Sequence, residues 1–348
     1  MGGAMTDATT IQPSRVSPWP RRWALLLCAL TFPLLWVGGL VTSTDAGMAV
    51  PDWPTTYGYN MFAYPLSTWF FAPWDLFVEH GHRLLGSLVG LLTIGLVVAV
   101  WWTDRRRWLR WLTVAALALV IVQGVLGGMR VMMNERQLAM VHGCTGPLFF
   151  ALACVMLAMT SRWWSAGGAT NRRSMGVPLA ATALFAYLQL VIGAQLRHVP
   201  VTVSPWAFAG LVKLHLVMAA VVSGHVAWST AAVWRRPAGP GVLRLLTAGL
   251  SLALVIQLSL GACTWVVKYG LPGWAFGWLP ATIGANVADG LAQTHIATAH
   301  SATGSLILGL AAAGATLALR FAAFAADTSP AARPTPANSI SANSPSAN

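Results

Sequence analysis

Acidic residues are scarce in this chain: nine Asp and Glu stand among 348 residues, and charged side chains of both signs make up 9% of it. A water-soluble domain carries roughly a quarter charged residues, so the composition excludes an ordinary soluble fold. Cysteine is rare as well. Cys28, Cys144, Cys154 and Cys263 have no C-x-x-C spacing and fall inside apolar stretches. That excludes a zinc site or a disulfide framework and leaves them as small buried apolar residues. Extended polar sequence is confined to the two ends. The remainder holds repeated apolar runs of the roughly 20 residues that cross a bilayer. The chain reads as an all-α polytopic membrane protein.

Eight spans are expected, at about 23–41, 80–102, 111–128, 138–159, 175–194, 207–234, 242–267 and 291–322. The first follows Arg21-Arg22 as a signal peptide would, but it runs on into a glycine-rich polar stretch and seven further spans, so it is taken as a membrane helix. Residues 1–22 are polar and read as a mobile cytoplasmic segment. Residues 323–348, rich in Ala, Ser, Pro and Asn, read as a disordered cytoplasmic tail. The net charge of +12 is a matter of topology, not of nucleic acid. Arg21, Arg22, Arg105, Arg106, Arg107, Arg162, Arg172, Arg173, Arg235, Arg236, Arg244 and Arg320 fall on the face that holds both ends. Asp45, Asp52, Asp75, Glu79, Glu135 and Asp289 fall near the other. Positive charge stays inside, so a multi-pass protein of the cytoplasmic (inner) membrane with both termini cytoplasmic is expected.

Ionisable residues entering a bilayer are costly and mark function by default. Glu79-His80-Gly81-His82-Arg83 stands at the expected head of span 2, and His142, His215 and His300 occupy comparable places in spans 4, 6 and 8. An internal repeat accompanies them. His142-Gly143-Cys144-Thr145-Gly146 matches His300-Ser301-Ala302-Thr303-Gly304 as H-x-x-T-G, and the odd spans end in small-residue turns at Gly38-Gly39, Gly127-Gly128, Gly193-Ala194 and Gly261-Ala262. Spans 1–4 and 5–8 therefore read as two pseudosymmetric four-helix bundles of the same orientation. The expected division is 23–160 for the N-terminal bundle, 161–174 for a cytoplasmic linker and 175–322 for the C-terminal bundle. On this alignment His82 pairs with His142 and His215 with His300, all within roughly 15 Å of the outer helix ends. Facing imidazoles inside a four-helix bundle suit the axial ligation of a haem iron.

A single intramembrane histidine often only bonds across a helix interface; its repetition in four even spans argues against that here. His80 and His295 point away from their neighbours' faces, His198 lies in a loop, and His225, deeper in span 6, is the competitor to His215. Glu79 shares a helix face with His82, which suits a proton acceptor over the same pocket or a partner for Arg83. Arg130 and Arg197, just past spans 3 and 5, suit haem propionates through paired N–H donors. The outer loop 42–78, dense in aromatics, has the make-up of a lid or of an interfacial belt. Its counterpart 201–206 is short, which fits one working pocket and one supporting pocket.

The tract from Gly38 through Thr44, then Gly47, Asp52-Trp53-Pro54, Glu79-x-x-His82-Arg83 and the later single histidines resemble the haem A synthase family over about residues 23–322. The resemblance implies an oxidoreductase that converts the C8 methyl of haem O, through a hydroxymethyl stage, into the formyl group of haem A. Glu79 is then the catalytic residue, and His82 and His142 hold the substrate haem. His215 and His300 ligate a haem b, with Arg130 and Arg197 as cofactor-binding residues. The expected partners are haem O, the haem O synthase that supplies it, an unidentified electron acceptor and membrane lipid. Self-association is compatible with the sequence, and nucleic acid is not expected. The chain departs from one branch of the family in having no cysteine pair in an outer loop. Leu216 rather than arginine follows His215, and Lys213 sits close by. A di-haem cytochrome b for quinol-linked electron transfer would use the same four histidines without needing Glu79.

Overall fold

A computed structural model describes residues 17–165, 173–200, 202–236, 241–270 and 290–327. Among them are eight helices long and apolar enough to cross a membrane: α1 (Trp19–Ser43), α3 (Trp74–Thr103), α4 (Arg107–Met133), α5 (Arg136–Met159), α7 (Arg173–Arg197), α8 (Pro205–Trp234), α9 (Gly241–Tyr269) and α10 (Leu291–Asp327). Two short helices, α2 (Leu66–Phe70) and α6 (Arg162–Ser165), join them. Among the described residues the only sheet is a hairpin of β1 (Thr55–Thr56) and β2 (Tyr59–Asn60). The chain is all-α and multi-pass, as its composition requires.

The helices overrun the apolar runs, because a helix continues past the bilayer until something stops it. Pro73 precedes α3 and Asp75 lies in its first turn, a favourable place for a negative charge at a helix N-terminus. Span 2 thus begins at Trp74, not at His80, and Glu79 to Arg83 lie in its second and third turns. α10 likewise runs through the alanine-rich stretch after Ala322 to Asp327, since alanine favours helix wherever it stands. Residues 1–16 and 328–348, the bulk of the expected mobile ends, lie outside the described residues, as do 166–172 of the linker, Val201 and Asp289.

Two large apolar cores form among the described residues. Ala24 and Leu27 of α1, Val89 and Leu96 of α3, Leu109 and Ala116 of α4 and Phe149 and Met156 of α5 make the first. Met175 and Leu179 of α7, Val222 and Val226 of α8, Leu243 and Leu250 of α9 and Ala311 and Ala318 of α10, with Ala151 and Ala158 of α5, make the second. Lipid tails are as apolar as leucine, so close contact and polar bonds between helices do the holding. Gly309 of α10 leaves space that Phe150 and Cys154 of α5 fill, and Gly39 of α1 does the same for Thr298. Cross-helix hydroxyl pairs add about 0.6 kcal/mol each: Thr182 with Ser229 at 2.9 Å and Thr230 with Ser251 at 3.0 Å.

The α1–α3 loop is built on Asp52. Tyr57 (φ 50°) and Gly58 (φ 80°) form the two-residue turn of the hairpin, a conformation that suits right-twisted strands. Their N–H groups both donate to the Asp52 carboxylate at 2.8 Å. Burial would raise the carboxyl's pKa, but these bonds outweigh it and hold it below the usual value.

Candidate functional site

Each of the four singled-out histidines sits where a glycine of the preceding span has removed a side chain. A β-carbon at Gly38 would lie 2.8 Å from His82 Cε1, one at Gly127 3.3 Å from His142 Cε1, one at Gly193 3.3 Å from His215 Cε1 and one at Gly261 3.1 Å from His300 Cε1. The rings lean directly on the neighbouring backbone, with Nδ1 buried in every case. His82 faces His142 with ring centroids 6.4 Å apart and planes at 89°; His215 faces His300 at 6.3 Å and 62°. All four lie about 9 to 15 Å along the axis from the N-terminal ends of their helices. His225 is elsewhere: it packs between Phe185 and Trp228, with Nδ1 2.8 Å from the Val221 carbonyl.

The spacing fits a shared metal. Two imidazoles bound end-on to one ion, each with a nitrogen–metal bond of about 2 Å, have ring centroids about 6.3 Å apart. Among the described residues no three His, Cys, Asp or Glu side chains converge on a metal-sized site. A lone facing pair suits an iron whose remaining ligands come from a macrocycle.

The residues around His82 hold the α1–α3 loop. Glu79 is 3% exposed; its Oε2 accepts from the Val50 N–H at 2.8 Å and its Oε1 from Arg83 Nη2 at 2.9 Å. Arg83 also donates to the carbonyls of Val50 at 2.8 Å, Asp52 at 2.7 Å and Thr55 at 3.0 Å. His80, 1% exposed, brings Nδ1 to 3.1 Å from Thr56 Oγ1 and packs on Tyr64 and Trp69. The loop is therefore sewn onto α3 immediately above the first pair. Its glycine and tryptophan are explained too: Gly47 leaves room for the Arg130 guanidinium, and Trp53 lies on Gly128 of α4.

Arg130 lies close enough to Glu79 and Asp45 to feel both charges. Arg197 has partners in both halves. It reaches into the seam between the two halves, donating to the Gly39 carbonyl at 2.7 Å, to Ser43 Oγ and to Ser301 Oγ at 3.1 Å. Ser43 also meets Thr298 at 3.1 Å. Lys213 is exposed.

His80 ties the loop to α3, a part that its spacing from His82 does not reveal.

Helices of membrane length, with a loop sewn over one of two facing histidine pairs, define a multi-pass membrane protein. The chain belongs to the COX15-CtaA family of cytochrome oxidase assembly proteins, whose profile matches residues 21–201. It is similar to a haem A synthase of Hyphomonas neptunium, 26% identical over 262 residues, with 65% of this chain and 66% of the relative covered. Similarity to a haem A synthase of Rhizorhabdus wittichii is 22% over 324 residues, 82% of this chain and 72% of the relative. A protein of Halobacterium salinarum named protoheme IX farnesyltransferase is 31% identical over 171 residues, 46% of this chain and 36% of its own length.

Proposed function

We propose that the protein is a haem A synthase. It takes haem O between His82 and His142 and oxidises the C8 methyl, through a hydroxymethyl stage, to the formyl group, a change that removes four electrons and adds one oxygen atom and therefore draws on an external electron acceptor and on water or dioxygen. The observation that carries this reading is the asymmetry of two otherwise alike pairs. Both have the spacing of axial ligands, but one lies under a loop pinned by a buried carboxylate and arginine. That one is the substrate pocket.

His215 and His300 are the residues that would hold a haem b, which when bound supplies one-electron chemistry. The chain's own contribution is placement. The glycine cradles and the sewn loop keep the rings oriented and water out. Glu79 uses two of about four acceptor positions on Val50 and Arg83, which leaves capacity on the carboxylate for a proton lost near the substrate. Arg130 offers paired donors to a propionate. Arg197 ties the halves beside the second pocket, with its remaining N–H groups available to that pocket's propionates. On this reading the sewn loop is on the outer side, the termini are cytoplasmic and the membrane is the inner one. The haem O synthase would be the partner that supplies the substrate.

Reversed-phase separation of haems extracted from protein made alongside a haem O supply tests this. Haem b together with haem O, its hydroxylated form or haem A is expected. Two tightly held haem b per chain would overturn the synthase in favour of an electron-transfer cytochrome, and a folded protein without haem would overturn both.

A further inference from the structure

Two consecutive glycines of α1 meet two different helices. The His82 ring of α3 lies against Gly38, where a β-carbon would stand 2.8 Å from Cε1, 3.4 Å from Nδ1 and 3.5 Å from Nε2. Gly39 instead meets Thr298 of α10, whose Cγ2 would lie 2.9 Å from a β-carbon there. Neighbouring residues of a helix point about 100° apart. This stretch of α1 is therefore a wall, with His82 on one side and the second half of the chain on another. Neither face carries a side chain that could give way, so the stand of α1 against α10 sets how closely its backbone backs the His82 ring.

That stand is fixed by polar bonds, and Arg197 makes most of them. Its Nη2 donates to the Gly39 carbonyl at 2.7 Å and to Ser43 Oγ, and its Nη1 donates to Ser301 Oγ at 3.1 Å. Ser43 Oγ and Thr298 Oγ1 are 3.1 Å apart. Arg197 ends α7, so one side chain ties α7, α1 and α10 together. Among the described residues no carboxylate lies within ion-pair distance of it; its acceptors are neutral oxygens, and bonds from a charged donor are roughly twice as strong as neutral ones. Among the same residues no hydrogen bond joins α1 to α3. The contact of Gly38 with His82 is packing alone, and its polar anchor lies across the seam.

We propose that Arg197, a residue of the second half, is a positioning residue for the first pocket: through Gly39 it holds the Gly38 backbone against His82 and so fixes the ring that meets the substrate haem. This rests on the reading of His82 as a ligand of that haem. It gives Arg197 a task separate from any propionate in its own half. A ring already held in one orientation has less freedom to lose when the substrate arrives. Without the tie α1 gains play, and the ring gains it too.

The test titrates haem O into the full-length protein purified in detergent and records the ferric spectrum at saturation. In wild type the first-pocket iron should be low-spin, with an imidazole on each side. Arg197→Met should weaken haem O binding about tenfold, the worth of one charge-assisted bond. A high-spin signal should also grow on the first-pocket haem, which a general loss of stability does not produce. Ser43→Ala, which removes one acceptor of Arg197 and the Thr298 link, should weaken binding about threefold, the worth of one intramembrane hydrogen bond. In a Gly193→Val background, which displaces His215 and empties the second pocket, Arg197→Met should have the same effect as in wild type. An effect that vanishes in that background, or a high-spin signal confined to the second-pocket haem, makes Arg197 a residue of its own pocket and overturns the proposal. Unchanged haem O affinity in both Arg197→Met and Ser43→Ala overturns it as well, and Ser43→Ala decides alone where Arg197→Met does not fold. Full haem O affinity in His82→Ala would instead remove the ligand reading beneath the proposal.

Discussion

Arg83 donates to the main-chain carbonyl of Asp52 at 2.7 Å, and Asp52 in turn holds the hairpin turn at Tyr57 and Gly58. One guanidinium on a membrane helix thus fixes the fold of a loop outside it. Arg83→Met leaves Glu79 as a buried charge without its partner, at side-chain exposures of 9% for the arginine and 4% for the glutamate. Losing one member of such a pair costs about 3 to 5 kcal/mol. Faster proteolysis within residues 50–60, a lower Tm and loss of haem A formation are expected, with the second-pocket haem spectrum unchanged.

Gly47→Ala places a β-carbon on the Arg130 guanidinium, which must move. The fold has other anchors at this loop, so thermal stability should change little. Binding of haem O by the purified protein should weaken about tenfold, the worth of one charge-assisted contact. Equal binding in variant and wild type would show that Arg130 does not touch the substrate.

Gly193→Val and Gly38→Val separate the two pockets. Each pushes one ring off its helix: His215, which a β-carbon would approach to 3.3 Å, or His82, at 2.8 Å. The first variant should lose haem b and keep haem O binding; the second should do the opposite. Haem extraction reads both, and loss of both haems from either variant would contradict the separation.

Acid should loosen the turn after α7. Burial first, then Arg197, Arg130 and Arg136, pull the pKa of His198 from 6.5 down to about 4. The folded protein keeps this ring neutral where the unfolded chain would protonate it. Its contribution is therefore whole above about pH 6.5 and falls as the pH drops from there to about 4. His198→Asn should flatten the decline of Tm between pH 7 and pH 5.

The sequence announced the eight spans because a bilayer demands long apolar runs, and it announced the four histidines because polar groups at such depth stand out. Helix ends were less legible: Trp74 and Asp327 lie beyond the apolar limits, where capping and alanine, not hydropathy, decide. The role of His80 could not be read from spacing, since its partners Thr56, Tyr64 and Trp69 come from a loop whose path depends on Asp52. The part Arg197 plays in the seam could not be read from the sequence, because its neighbours there, Gly39 and Ser43, are more than 150 residues away along the chain.

The seam itself sets an order of events in biosynthesis. Gly39 and Ser43 of the first helix meet Arg197 and Thr298, and Arg197 in turn meets Ser301; Thr298 and Ser301 belong to the last helix. A ribosome working from the N-terminus inserts α1 long before α10 exists, so the polar face of the oldest helix waits in the lipid for the youngest. Until then Arg197 lacks its Ser301 acceptor. The chain closes on itself last at this point, and damage to α10 is felt first at the far end of the sequence.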